Sequence, residues 1–158
     1  KGVGGLYVKK GIKLTPQIHG GGHEFGIRSG TLNVTGIVGL AKATQLCLEE
    51  MNEESSRLEK IRDDFEKEFE EAGKIIVNGK NAPRLPHISN FQLLNEDSES
   101  FILRNRIGIA VARGSACNSA LIQPSHVLKA MGLHDKDAEN SIRVSLGRNS
   151  TSHFFNVN

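Results

Sequence analysis

The sequence predicts an α/β fold in which helices pack on one sheet, and three observations support this prediction. Four short apolar runs, at residues 74–77, 88–94, 108–112 and 142–146, have the length and composition of strands. Helical patterns, with apolar residues every three or four positions, lie between them. At 158 residues the chain is long enough to bury a core of its own. Strands that alternate with helices favour a sheet covered by helices.

A long helix is predicted from about residue 33 to residue 72, with Gly73 as its C-cap. In its first part, residues 37–48 are apolar on most faces, which predicts burial between two layers, and Cys47 is predicted to be a core residue there. The second part carries a narrow apolar stripe on a charged helix, formed by Leu58, Ile61, Phe65 and Phe69. Such a helix is suited to begin in one domain and end in another.

The remaining predicted elements are short. Asp97 is predicted to cap a helix near residues 98–106, because aspartate accepts hydrogen bonds from the free N–H groups of a first turn. The other elements are, in chain order, a strand at residues 3–8, a glycine-rich loop at 20–26, a helix from Pro124 to Met131 and a helical turn near 135–140.

The composition argues against several classes of function. The net charge is +2 and no basic face dominates, so nucleic-acid binding has no compositional support. The chain has no run of about 18 apolar residues that would predict a membrane span, and no signal-peptide core near its start. Two cysteines in a chain of this size indicate a reducing compartment rather than a disulfide framework. Because the first residue is Lys1, we expect a fragment, a processed product or a partly observed polypeptide.

Cys117 lies in a tract of small residues, Val-Ala-Arg-Gly-Ser-Ala-Cys-Asn-Ser-Ala at 111–120. Small side chains leave a sulfur accessible, so the thiol is suited to act as a nucleophile on a loop. Free cysteine is also among the most buried residue types, and a core role stays open on the local pattern alone. His126 follows nine residues later, and spacing by itself does not establish a Cys–His dyad.

Two further segments have residues suited to anion binding. In the strand at 142–146, Arg143 and Ser145 share the face opposite to Ile142 and Val144, so the Arg143 guanidinium could clamp a carboxylate with two bonds or form a structural ion pair. The Ser-Gly-Thr step at 29–31 comes just before the long helix, which suits a phosphate group or a plain helix N-cap.

Three motifs in this order resemble one family. They are His-Gly-Gly-Gly-His-Glu-Phe-Gly-Ile-Arg-Ser-Gly-Thr at 19–31, Gly-Ser-Ala-Cys-Asn-Ser-Ala at 114–120 with Pro-Ser-His-Val-Leu at 124–128, and Ile-Arg-Val-Ser-Leu-Gly-Arg at 142–148. Together they resemble the C-terminal part of cysteine desulfurases of the NifS/IscS type, in the class V aminotransferase family. The long loop around Cys117 is similar to the first of the two desulfurase groups.

The resemblance implies an activity and roles for three residues. The implied reaction converts L-cysteine to L-alanine with pyridoxal 5'-phosphate and leaves the sulfur on Cys117 as a persulfide. Arg143 matches the arginine that holds the substrate carboxylate, and Thr31 matches the threonine that reaches the cofactor phosphate of the neighbouring subunit. A homodimer with shared active sites is therefore implied.

The resemblance also divides the chain into three regions. Residues 1–32 are expected to be the end of the large cofactor-binding domain, residues 33–73 the linking helix, and residues 74–158 the small domain with the cysteine loop. The lysine that binds the cofactor would precede Lys1, so we expect this chain alone to be inactive. Phe25 stands where the family often has a charged residue, and residues 151–158 lack the acidic helix start that usually follows.

The family further implies sulfur acceptors, which are iron–sulfur scaffold proteins or tRNA-thiolation carriers. Metal contact would occur only through the Cys117 persulfide and a cluster on the scaffold. We expect a cytoplasmic protein, with a processed organellar form left open. Two alternatives also stay open: a selenocysteine lyase, and a non-catalytic dimerisation or scaffold-docking module.

Overall fold

The computed structural model describes residues 2–105, 110–113 and 124–152. It contains two compact units, Lys1–Met51 and Asn52–Asn158, and the division falls inside the first long helix. The predicted α/β fold class is confirmed. In chain order the described elements are a 3₁₀ turn at Glu24–Gly26, α1 at Val34–Glu71, β1 at Ile75–Val77, β2 at Ile88–Leu93, α2 at Ser98–Asn105, β3 at Ala112–Arg113, α3 at His126–Ala130, α4 at Asp135–Glu139 and β4 at Ser141–Ser145.

The four strands form one antiparallel sheet in the order β1-β2-β4-β3. The central pairing aligns Ile88 with Ser145 and Gln92 with Ser141. Because side chains alternate along a strand, this register puts Phe91 and Ile142 on one face and Asn90 and Arg143 on the other. The register therefore decides which polar residues share the outward face.

The core lies between the sheet and the second half of α1. Phe91 and Ile142 are almost completely buried, and Phe65 on α1 meets the Phe91 ring edge to face at 5.5 Å between ring centres. The apolar stripe predicted on α1 is confirmed, since Leu58, Phe65 and Phe69 are buried in this core and Ile61 packs against it. Burial of these side chains is the main force that holds the helix on the sheet.

The structure contradicts two predictions in the first unit. Residues 3–8 form no strand, because no described segment pairs with their backbone. Cys47 is exposed rather than a core residue, and the apolar side chains around it are exposed as well. The described part of the chain supplies no second layer against the first half of α1, so the apolar pattern is not matched by burial. The exposed side chains include Val34, Val38, Leu48 and Met51.

Asp97 caps α2, as the sequence predicts. Its Oδ1 atom accepts a hydrogen bond from the Ser100 backbone N–H at 2.8 Å, and its carbonyl oxygen accepts one from the Phe101 N–H at 3.1 Å. Hydrogen bonds from the Ser100 side chain and backbone lower the pKa of the Asp97 carboxyl below its ordinary value of 3.8. The charged form of Asp97 is therefore favoured in the folded chain.

We expect Asp97→Ala to lower the melting temperature at neutral pH, since the first turn of α2 loses its acceptor. Because the pKa of Asp97 is lower in the folded state, its contribution to stability is complete above about pH 3.8. That contribution is lost as the pH falls through the pKa of the folded state. Thermal unfolding of both proteins from pH 7 to about 2 checks this. The control is Asp64→Ala, which removes an exposed carboxylate with no hydrogen bond or ion pair in the described chain. Its melting temperature is expected to equal that of the parent protein. A difference in melting temperature between Asp97→Ala and the parent protein that grows in acid would contradict this role.

None of the helices in the described residues combines the length and the apolar character that a membrane crossing requires.

Candidate active site

Arg143 lies on the outward face of β4. Ile142 and Val144 point into the core, whereas Arg143 and Ser145 are exposed, which confirms the predicted alternation. Within the described residues the Arg143 guanidinium makes no ion pair and no hydrogen bond. The predicted alternative of a structural ion pair therefore finds no partner there, and the fork remains free to bind an anion.

The sheet register brings Arg143 next to the strand that leads toward Cys117. Ala112 on β3 pairs with Arg143, and Arg113 pairs with Ile142. Cys117 follows shortly after Arg113 in the chain, but it lies outside the described residues, so the structure does not place the thiol. The predicted dyad of Cys117 and His126 is likewise untested; His126 is exposed at the start of α3.

A polar network that sequence reasoning missed lies on the same side of the sheet. Asn78 is its centre: Nδ2 donates to Asn90 Oδ1 at 2.7 Å and to Ser141 Oγ at 3.1 Å, and Oδ1 accepts from Gln92 Nε2 at 2.8 Å. Ser141 in turn donates to the Asp137 carbonyl at 2.7 Å. The only signal in the sequence is the polar residues Asn90 and Gln92, which alternate with Phe91 and Leu93.

Thr31 lies in the first unit, in the segment before α1. It is exposed, and its hydroxyl has no hydrogen-bond partner in the described part of the chain. The N-cap of α1 is Asn33 and neither Ser29 nor Thr31: Asn33 Oδ1 accepts from the Gly36 N–H at 3.0 Å. A Cβ on Gly36 would lie 2.5 Å from the Asn33 amide nitrogen, so this tight cap needs glycine there.

The turns before Thr31 are also fixed by local contacts. Ser29 is buried and donates to the Gly21 carbonyl at 2.6 Å. Gly30 has φ of +117°, and a Cβ there would lie 2.9 Å from the Arg28 guanidinium, so only glycine fits without strain. Phe25, at φ of +57°, is almost fully exposed. With Ser29 and Asn33 engaged, Thr31 offers the free hydroxyl of this segment.

Arg57 on α1 holds the loop that follows β4. Its Nη1 donates to the Ser150 carbonyl at 2.7 Å, and its Nη2 donates to the Arg148 and Gly147 carbonyls at 3.1 and 3.3 Å. Two further bonds to the Glu54 carboxylate, at 2.7 and 2.8 Å, raise the pKa of Arg57 and lower that of Glu54. The strand that carries Arg143 is thereby anchored at its C-terminal end.

Within the described ranges, no group of three His, Cys, Asp or Glu side chains could hold a metal ion. On the sheet, the described candidate site consists of two hydrogen-bond donor groups, the Arg143 fork and the Asn90 amide. The Thr31 hydroxyl is a separate donor that belongs to the first unit.

Comparisons with known proteins point to one family. The model of the aminotransferase class V family matches residues 1–153. The chain is 42% identical over 158 residues to the cysteine desulfurase IscS of Dictyoglomus turgidum, covering 99% of this chain and 40% of that protein. It is 45% identical over 153 residues to the cysteine desulfurase IscS of Pasteurella multocida, covering 96% of this chain and 38% of that protein.

Solved structures give the same result. A NifS-like protein superposes with a TM-score of 0.80 at 32% identity, over 94% of this chain and 37% of its own. The NifS-like protein from Rickettsia africae gives a TM-score of 0.77 at 30% identity, over 90% of this chain and 37% of its own. The chain belongs to the class V aminotransferase family, and it spans about two fifths of the length of the curated relatives it matches.

The family and the desulfurases within it depend on pyridoxal phosphate. The described residues fit contacts to such a cofactor and its substrate. The free hydroxyl of Thr31 can donate to a phosphate oxygen, and the unpaired Arg143 guanidinium can hold the carboxylate of an amino acid.

Proposed function

We propose that the full-length protein containing this chain is a cysteine desulfurase that converts L-cysteine to L-alanine and transfers the sulfur to Cys117. The observation that carries the proposal is the unpaired Arg143 guanidinium, exposed beside the strand that leads to Cys117. A guanidinium fork matches the planar geometry of a carboxylate, and an amino acid supplies such a group. The cysteine desulfurases that match nearly the whole chain support the same activity.

Each residue has a separate task in the proposed reaction. Arg143 binds the substrate carboxylate with its fork and so orients the substrate thiol. The Cys117 thiolate attacks the substrate sulfur; an S–S bond forms and the Cβ–S bond breaks. The electron pair left on the substrate carbon takes up a proton, which yields alanine and a persulfide on Cys117. Pyridoxal phosphate supplies the electron sink that makes the Cβ–S bond labile.

The proposal includes a homodimer in which Thr31 donates its hydroxyl to the cofactor phosphate of the neighbouring subunit. The exposed apolar side chains on the first half of α1 support packing against further polypeptide, because contiguous apolar surface of this kind marks contact sites. The persulfide would then pass to an iron–sulfur scaffold protein or a tRNA-thiolation carrier in the cytoplasm. No observation favours a selenocysteine lyase or a docking module over a desulfurase.

Mass spectrometry of the full-length protein tests the proposal. After incubation with L-cysteine, we expect the peptide that contains Cys117 to gain the mass of one sulfur atom, together with the appearance of L-alanine. Cys47 is the matched control, because it is the other thiol of the chain and is exposed. The proposal is wrong if the sulfur is found on Cys47 instead, or if alanine forms while Cys117 stays unmodified.

A further inference from the structure

Asn90 lies directly beside Arg143 on the outward face of the sheet. The Asn78 N–H donates to the Asn90 carbonyl at 2.8 Å, so the backbone polar groups of Asn90 point toward β1 and away from β4. Asn90 and Arg143 are therefore a non-hydrogen-bonded pair of an antiparallel ladder. Such pairs have Cα atoms about 4.5 Å apart and bring their side chains closest together.

The orientation of the Asn90 amide is fixed by the network behind it. Because Ser141 donates its hydroxyl proton to the Asp137 carbonyl, its oxygen accepts from Asn78 Nδ2. The Asn78 oxygen accepts from Gln92, so the same Nδ2 group also donates to Asn90 Oδ1. Asn90 thus turns its oxygen toward Asn78 and its Nδ2 group away from it. No described residue accepts a hydrogen bond from that Nδ2 group.

Two free donor groups therefore meet on one face: the Arg143 fork and the Asn90 amide. Neither has an acidic partner among the described residues. A carboxylate has about four lone-pair sites, and a guanidinium fork fills two of them, so a neighbouring amide can fill a third. We propose that Asn90 binds the substrate carboxylate together with Arg143, an assignment that rests on the proposed desulfurase function.

The proposal differs from a purely structural role in what it predicts for substrates. If Asn90 only holds Asn78 in place, its loss affects every substrate alike. If Asn90 contacts the carboxylate, its loss weakens the binding of L-cysteine. The binding of cysteamine, which has the same thiol and amine but no carboxylate, is then unchanged. Asn95→Ala is the matched control, because Asn95 is an exposed asparagine after β2 whose amide donates to the Gly73 carbonyl and takes no part in the Asn78 network.

The test measures KM and kcat of the full-length protein for L-cysteine and cysteamine. For Asn90→Ala we expect KM for L-cysteine to rise about tenfold, with KM for cysteamine unchanged. Asn90→Asp keeps the acceptor for Asn78 but sets a negative charge beside Arg143. We therefore expect KM for L-cysteine to rise more than in Asn90→Ala, with KM for cysteamine unchanged. It also keeps the proposal testable if Asn90→Ala does not fold. Asn95→Ala should stay near the parent protein.

Calorimetric binding of L-alanine and of ethylamine supplies a readout that does not need turnover. We expect Asn90→Asp to weaken the binding of L-alanine and to leave the binding of ethylamine unchanged. Equal changes for both ligands, no change for either, or the same loss of L-alanine affinity in Asn95→Ala would overturn the role of Asn90. If the parent protein fails to release sulfur from L-cysteine, the desulfurase function is wrong, and the L-alanine measurement still decides whether Asn90 contacts a carboxylate.

Discussion

Cys117→Ala is expected to abolish sulfur transfer by the full-length protein. With the thiolate removed there is no nucleophile to take the substrate sulfur, and loss of a covalent nucleophile lowers kcat by roughly 10³-fold or more. The binding of L-alanine should stay unchanged, because Arg143 still holds the carboxylate. Alanine production and persulfide transfer to an acceptor protein are the measurements.

The control for this variant is Cys47→Ala. Cys47 is exposed on α1, outside the segment that follows β3, so its removal is expected to leave the rate at the parent value. Full alanine production by Cys117→Ala, or inactivation by Cys47→Ala, would assign the sulfur to a different acceptor and would remove the basis of the proposed reaction.

Arg143→Leu is expected to raise KM for L-cysteine by roughly a hundredfold or more. The variant removes two charge-assisted hydrogen bonds to the carboxylate, and each such bond contributes about 1.5–3 kcal/mol. Stability should change little, since Arg143 is exposed and has no partner in the described part of the chain. Steady-state kinetics with L-cysteine and cysteamine measure the effect, which should be confined to L-cysteine.

Two variants sharpen this measurement. Arg143→Lys keeps the charge but loses the fork, so an intermediate KM is expected. Arg148→Leu removes the arginine beyond the end of β4, whose backbone carbonyl contacts Arg57, and KM should stay near the parent value. An Arg148→Leu effect as large as that of Arg143→Leu would mean that general positive charge, not a specific clamp, attracts the substrate.

Local patterns in the sequence predict most of the second unit. The apolar stripe of α1 and the outward position of Arg143 follow from periodicity, because a period of 3.6 or 2 directly specifies a face. The cap at Asp97 depends on only a few neighbouring residues, so a short motif is enough to locate it. These features need no knowledge of distant contacts.

Features that depend on distant partners escaped prediction. In the sequence, Glu66 has the pattern of a solvated helix face. In the structure it is buried, and Arg84 donates two hydrogen bonds of 2.7 and 2.8 Å to its carboxylate. That contact favours the charged guanidinium and raises the pKa of Arg84. The Asn78 network likewise needs the register of β1 on β2 and of β2 on β4, which the alternation of single strands does not contain.

The exposure of Cys47 has a different origin. Its apolar neighbours on α1 predict a surface that is covered by polypeptide, but the sequence pattern does not say which polypeptide would cover it. Within the described residues nothing does. Hydrophobic periodicity therefore predicts where contact is needed, and it leaves the partner unspecified.

The place of β3 in the sheet bears on how firmly its pairing with β4 is held. In the described sheet β3 is a two-residue edge strand that pairs with β4 alone, whereas β2 is held by neighbours on both sides. Few backbone bonds secure such an edge, although Val111, directly before it, packs against the core that contains Phe91 and Ile142. Opening of this edge is therefore expected to need less free energy than opening of the pairing between β2 and β4, which positions Arg143.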